Sequence, residues 1–305
     1  SSIATADAQD PSYRGTSILL SDDGFMSWYC KNPIYEIITV TNCKLYVRVV
    51  DGADSKLTWY CTFQTQNPNE SGGGFEELVW SDEFDVDGAP NPANWTYDLG
   101  TGSNGWGNGE LQSYTDNAEN VIVEDGILKI TAIADGNGGY TSARIKTEGL
   151  QEFTYGKIEC RAKLPAAQGT WPAIWMLGAN FSQVGWPETG EIDIMEQKGQ
   201  LAQKTKISGT LHYPEVSPGA GNTAEVDVSN TSTEFHNYAV EWTEESIRFL
   251  VDDEPYHSVQ NSTDLPFNAD FFMLLNLAMG GSLGGDIDPA FTQDTFEVDY
   301  IRVYK

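Results

Sequence analysis

The sequence predicts an all-β fold, a sandwich or jelly roll of many short strands, on three observations. Apolar runs are short and broken by turn residues, with 30 glycines among 305 residues. No window sustains a helical period. The turn signals Asp125-Gly126, Asp135-Gly136 and Asn137-Gly138 fall between or just after such runs, where hairpins need them. Short strands separated by glycine-rich turns bury their apolar faces by packing two sheets together.

Taken in order, strand-like runs occur at 16–20, 35–41, 44–50 and 57–63, with a weaker one at 25–30 and a turn signal at Asp51-Gly52. The stretch 64–74 (Q-T-Q-N-P-N-E-S-G-G-G) reads as a linker. We therefore expect a short N-terminal β segment and linker over 1–74, followed by the main domain over 75–305. Some 60 residues of strands make a thin core, so the first segment needs a disulfide, a docking surface or another copy. Beyond it, runs at 121–123, 127–132, 157–164, 169–177, 191–197, 238–242, 247–251, 271–277 and 296–303 read as strands.

Net charge is −28, from 45 acidic and 17 basic residues. Such a surface repels nucleic acid and anionic membranes and disfavours sulfated or acidic polysaccharides. No stretch approaches the roughly 20 apolar residues of a membrane span. Cys30, Cys43 and Cys61 lie in the N-terminal segment, where one disulfide is plausible although its pairing cannot be read. Cys160 sits in a core strand and is expected to be a buried free thiol.

The most informative stretch is G-E-I-D-I-M-E-Q at 190–197. In a strand, Glu191 and Asp193 face one way and Ile192 and Ile194 the other. The same count turns Glu196 toward the apolar side, an expensive place for a carboxylate. A β-bulge at Ile194-Met195 would return it to the other acids. Three clustered carboxylates raise at least one pKa, which keeps a general acid protonated near neutrality. Two acids flanking a scissile bond make up the retaining glycosidase apparatus. An acidic, solvated strand face would show the same alternation, and spacing alone does not say which Glu does what. Upstream, Trp171 and Trp175 in G-T-W-P-A-I-W-M-L share a face, and indoles beside carboxylates suit a sugar.

These two motifs resemble the family 16 glycoside hydrolases, in particular the laminarinase-like endo-β-1,3-glucanases of bacterial type. Further matching motifs are S-D-E-F-D at 81–85, G-W-G-N-G-E-L-Q at 105–112, Y-T-S-A-R-I-K-T at 140–147, Y-G-K-I-E-C-R-A-K-L-P at 155–165, L-H-Y at 211–213, N-L-A-M-G-G at 276–281 and V-D-Y-I-R-V-Y at 298–304. The resemblance implies a jelly roll with a concave cleft. It makes Glu191 the nucleophile, Glu196 the acid and base, and Asp193 the residue that orients the nucleophile and shares a proton. It implies a sugar platform of Trp171 and Trp175, with Trp106, Asn108, Glu110, Arg144, His212 and Asn276 as further sugar contacts. The alternatives are a surface arginine pairing an acid for Arg144, a structural histidine for His212, and only a lid anchor for Trp186. Family members often hold a structural calcium ion, and the matching positions are Glu83, the Gly126 carbonyl and Asp299. Catalysis needs no cofactor.

The implied substrate is a neutral β-glucan cut at internal β-1,3 bonds. Mixed-linkage β-1,3/1,4-glucan is an alternative, as is a catalytically silent, lectin-like β-glucan-binding protein. Such an enzyme is expected to be secreted or displayed at a bacterial surface, as a monomer, with any signal peptide already removed. One departure stands out. Many laminarinases continue N-L-A-M-G-G with N-W-P-G, whereas this chain has Ser282-Leu283-Gly284-Gly285. A sugar subsite is then lost, or room is made for a branched or differently linked chain.

Overall fold

The computed structural model describes residues 74–305 in full. Before them it describes the backbone of the strands Ala4–Ala6, Ser17–Leu19, Pro33–Val40, Lys44–Asp51 and Thr58–Gln64. The chain divides into two compact units, Ser1–Gly73 and Gly74–Lys305. In the first, Pro33–Val40, Lys44–Asp51 and Thr58–Gln64 form an antiparallel three-stranded sheet, and Ala4–Ala6 pairs with Ser17–Leu19. The expected run at 25–30, the linker beyond Gln64 and the pairing of Cys30, Cys43 and Cys61 lie outside the described residues.

The second unit is the expected sandwich. One sheet has ten strands. Eight of them run in the order Glu254–Gln260, Ser246–Val251, His236–Trp242, Gly156–Lys163, Gln293–Tyr304, Ile127–Ala134, Tyr140–Ser142 and Gln112–Tyr114. Leu78–Asp82 adds to Gln293–Tyr304, so the first and last strands of the unit pair with each other. The other sheet has eight strands, seven of them in the order Asn222–Asp227, Lys206–His212, Glu191–Gln197, Thr170–Gly178, Phe271–Met279, Arg144–Lys146 and Thr96–Asp98.

The period of two sets the layers. In Ile127–Ala134, Leu128, Ile130 and Ala132 are fully buried while their neighbours are not. One apolar core joins the inner faces of both sheets, with Trp242, Phe249 and Phe296 from the ten-stranded sheet and Ile192, Met195 and Leu275 from the other. Phe271–Met279 is buried on both faces, as befits the middle of a covered sheet. Cys160 is a buried free thiol, as its strand position implied. At the expected hairpin, Asp125 and Gly126 both take positive φ, 55° and 76°, the geometry of a two-residue primed turn. No helix among the described residues is long and apolar enough to cross a membrane.

Candidate active site

Glu191–Gln197 lies between Thr170–Gly178 and Lys206–His212, and its register slips against both neighbours at the same place. On one side Trp175 faces Asp193 and Ile174 faces Met195, leaving Ile194 unpaired. On the other, Asp193 faces Thr210 and Glu196 faces Ser208, so Ile194 and Met195 together oppose Gly209. This is the β-bulge expected from the sequence. Both apolar residues of the bulge are buried, at 1% and 0% exposure; full burial of such side chains stabilises by roughly 1.5–3 kcal/mol each. Glu196 is thereby turned to the face of Glu191 and Asp193. The residue opposite the bulge has to be glycine, because a Cβ on Gly209 would sit 2.5 Å from the Tyr256 hydroxyl and 2.6 Å from the Phe249 ring.

Strand pairing then lays out the cleft floor in rows. One row runs Asp98, Arg144, Asn276, Ala173, Glu196, Ser208. The next runs Lys146, Leu274, Trp175, Asp193, Thr210, and a third Phe272, Leu177, Glu191, His212. The cleft over this face has a volume of about 730 Å³ and is lined by all three acids together with Trp106, Asn108, Glu110, Arg144, Trp171, Trp175, His212 and Asn276. Every acid and sugar-contact residue proposed from the sequence therefore meets in one place.

The three carboxyls hold protons more tightly than free ones. Burial pushes Glu191 well above the usual carboxylate range, and the charge of Asp193 adds to it. Burial does the same to Asp193, reinforced by Glu196. Glu196 is also raised by burial, opposed by the hydrogen bond that Trp171 Nε1 donates to its Oε1 at 3.1 Å. One carboxylate oxygen of Glu191, one of Asp193 and a ring nitrogen of His212 all lie within 4.8 Å of one another. His212 closes the group, its Nε2 lying 3.4 Å from Asp193 Oδ2 and 3.9 Å from Glu191 Oε1. Its Nδ1 contacts Ser217 Oγ at 3.1 Å, which fixes the ring. Carboxyls this close cannot all ionise together, so the site retains a proton.

A stability consequence follows with a definite sign. A carboxyl with a raised folded-state pKa contributes stability below the usual carboxylate range and loses it as pH rises through its folded value. Asp193→Asn should therefore melt higher than the parent at pH 7, with the gain shrinking toward pH 4, while turnover falls. Paired melting curves at the two pH values check this; an unchanged or lower melting temperature at pH 7 would contradict it.

Around the acids, aromatic rings and a polar network form the walls. The Arg144 guanidinium lies between the rings of Trp106 and Trp175, 4.7 and 4.6 Å from their centroids. Its Nε is 2.9 Å from Asp98 Oδ2, an ionic contact without in-line N–H geometry. Trp175 Nε1 donates to Asn276 Oδ1 at 2.8 Å, and Asn276 Nδ2 donates to the Tyr114 hydroxyl at 3.1 Å. Tyr114 in turn donates to Glu110 Oε2 at 3.2 Å, while Asn108 and Gln112 donate to the same carboxylate.

The model of glycosyl hydrolases family 16 matches residues 108–302. The chain belongs to that family. A beta-glucanase of Rhodothermus marinus is 43% identical, over 75% of this chain and 85% of its own length. A glucan endo-1,3-beta-glucosidase of Cryptopygus antarcticus is 40% identical, over 74% of this chain and 90% of its own. Among solved structures, a LamA variant from Zobellia galactanivorans in complex with laminaritriose and laminaritetraose superimposes with a TM-score of 0.68 at 41% identity, over 76% of this chain and 100% of that one. The family 16 jelly roll is thus the fold of the second unit, and the protein is a glycoside hydrolase.

Some features of this family 16 site escaped the sequence. Gln112 and Tyr114 alternate with Glu110, and Lys146 alternates with Arg144, so the period of two was there to find them. Asp98 and Ser217 carry no local signal; only the folded sheet brings them in. Trp186 lines the cleft with its ring 5.7 Å from that of His212. Residues 282–285 are not among those that line the cleft. Leu283 O accepts from Gly199 N at 2.9 Å, and Gly284 O accepts from Gln200 Nε2 at 2.9 Å.

The calcium expectation meets a different arrangement. Both Glu83 oxygens accept from Arg302, at 2.9 and 2.8 Å, and Asp299 is paired with Arg161. Gly126 sits in the hairpin turn after Val121–Glu124. Both carboxylates are thus engaged by arginines, which calcium would have to displace to use them as ligands. The two ends of this unit are joined by the pairing of Leu78–Asp82 with Gln293–Tyr304 and by the Glu83–Arg302 ion pair.

Proposed function

We propose that this enzyme is a retaining endo-1,3-β-glucanase acting on laminarin-type glucans. The observation that carries the chemistry is the bulge that sets Glu191, Asp193 and Glu196 on one cleft floor beside Trp171 and Trp175. In the first step Glu191 attacks the anomeric carbon while Glu196 gives its proton to the departing glycosidic oxygen. In the second, Glu196 removes a proton from water, which displaces Glu191 and leaves the sugar with its original β configuration. Asp193 lies beside Glu191 and orients it, and the His212 ring packs next to both. Raised carboxyl pKa values suit a group that must begin protonated near neutrality.

The linkage preference rests on the names of the relatives and on a cleft suited to an uncharged chain. Lys146 is held there by Asp98 at 2.7 Å and Glu148 at 2.6 Å instead of standing free for an anionic sugar. We further propose a secreted or surface-displayed monomer, since polysaccharides do not cross membranes. A panel of β-1,3, mixed-linkage and β-1,4 glucans, with product sizing and anomeric analysis, tests the reading. Inverted products, or faster cleavage of mixed-linkage glucan, would overturn it.

The same reading places the whole site in the second unit. A chain starting at Gly74 is expected to cleave the same panel with Michaelis constants within about threefold of the full chain, because interactions that bind substrate act through residues after that point. A large rise in KM with unchanged melting temperature would mean that residues 1–73 bind glucan.

A further inference from the structure

Lys204 is a half-buried lysine, its amine turned inward, that the mechanism above does not use. It follows the single turn Leu201–Gln203 in the connection between Glu191–Gln197 and Lys206–His212. Its Nζ donates to three oxygens: Thr170 Oγ1 at 2.6 Å, Thr170 O at 3.1 Å and Gln197 Oε1 at 3.1 Å. An ammonium has three donors, so all are used. The acceptors are fully enclosed, Thr170 and Gln197 both being 0% exposed. Gln197 returns the contact, its Nε2 donating to Lys204 O at 2.8 Å and to Thr231 Oγ1 at 3.1 Å.

Those acceptors occupy telling positions. Thr170 O belongs to the peptide bond that joins Thr170 to Trp171. Gln197 follows Glu196 directly. Trp171 and Glu196 are the two partners of the one indole–carboxylate hydrogen bond in the acid triplet. The clamp therefore grips, from behind the sheet, a backbone carbonyl next to Trp171 and the side chain next to Glu196.

We propose that Lys204 is a positioning residue for Glu196, clamping the strands that carry Trp171 and Glu196 so that the carboxyl is held at a fixed place over the scissile oxygen. This rests on the reading of Glu196 as the acid. Burial brings the Lys204 amine down to about 7, opposed chiefly by the charge of Asp294. Asp294 is occupied elsewhere, accepting from the backbone N–H of Ala167 at 2.6 Å. Enclosing a lysine amine with no bonded counter-ion is costly for stability in either protonation state, which speaks for a use in the site.

Leaving-group dependence separates positioning from mere stability. A glucan needs its leaving oxygen protonated; a dinitrophenyl β-1,3-glucoside does not, because dinitrophenolate departs unaided. Lys204→Met is expected to lower kcat on soluble β-1,3-glucan about tenfold with KM nearly unchanged, the cost of a misplaced catalytic group. The burst of dinitrophenolate from the aryl glucoside should stay within about twofold of the parent. Thr170→Val, which deletes one acceptor and keeps the shape, should show the same pattern more weakly and decides the matter if the methionine variant does not melt cooperatively. Equal slowing of both substrates, or a lower melting temperature with no leaving-group effect, would reduce Lys204 to a structural residue. Glu196→Gln in the same assays reads the acid directly: a large leaving-group effect there with none in Lys204→Met overturns this inference alone, and none in either overturns both.

Discussion

Replacing Glu191 by serine is expected to stop hydrolysis while leaving the fold and glucan binding intact. Serine at this position carries no carboxylate, so no glycosyl-enzyme intermediate can form. Loss of a covalent nucleophile that acts as part of a unit costs roughly 10⁴-fold or more in turnover. Folding should survive because Glu191 contributes nothing to the core: Ile192, Ile194 and Met195 on the other face do that. Removing a carboxyl whose pKa is raised by burial also relieves repulsion with Asp193, so the melting temperature should hold or rise. Turnover within tenfold of the parent on β-1,3-glucan would remove Glu191 from the nucleophile role.

The second large effect belongs to Glu196. Glutamine keeps its size and can still accept from the Trp171 indole, but it can neither give nor take the catalytic proton. Turnover on natural glucan should fall by about 10²–10⁴-fold, the usual contribution of a positioned acid and base. The pH dependence carries a second signature. Because burial raises the Glu196 pKa, its protonated form persists above the ordinary carboxylate range, and activity should decline as pH rises through the folded value. In Glu196→Gln that alkaline limb should vanish, leaving a flat, low profile. A variant that keeps the alkaline limb would assign it to another group.

Much of this molecule was legible in its sequence because alternation is a strong local signal. The odd place of Glu196 announced the bulge, and the Asp125-Gly126 pair announced its hairpin. Trp171 and Trp175 were found because they share a strand face, and the other cleft residues through the family resemblance. Partners across strands were harder. Asp98 reaches Arg144 and Ser217 reaches His212 only through pairings and loops that no short window of sequence contains. The calcium expectation shows the reverse difficulty: a motif marked Glu83 and Asp299, but the folded chain gives each carboxylate an arginine from elsewhere in the sequence.

The bulge does two things at once. An extra residue resets the phase of the strand, so whatever follows it changes face. Without the reset Gln197 would look into the cleft and Glu196 into the core. With it, the acid emerges among its fellow carboxyls and the very next side chain goes inward, where its amide meets Lys204 and Thr231. A single irregularity thus delivers the proton donor to the substrate and fastens the strand behind it. Any change that straightened this strand would take away the acid and its mooring together.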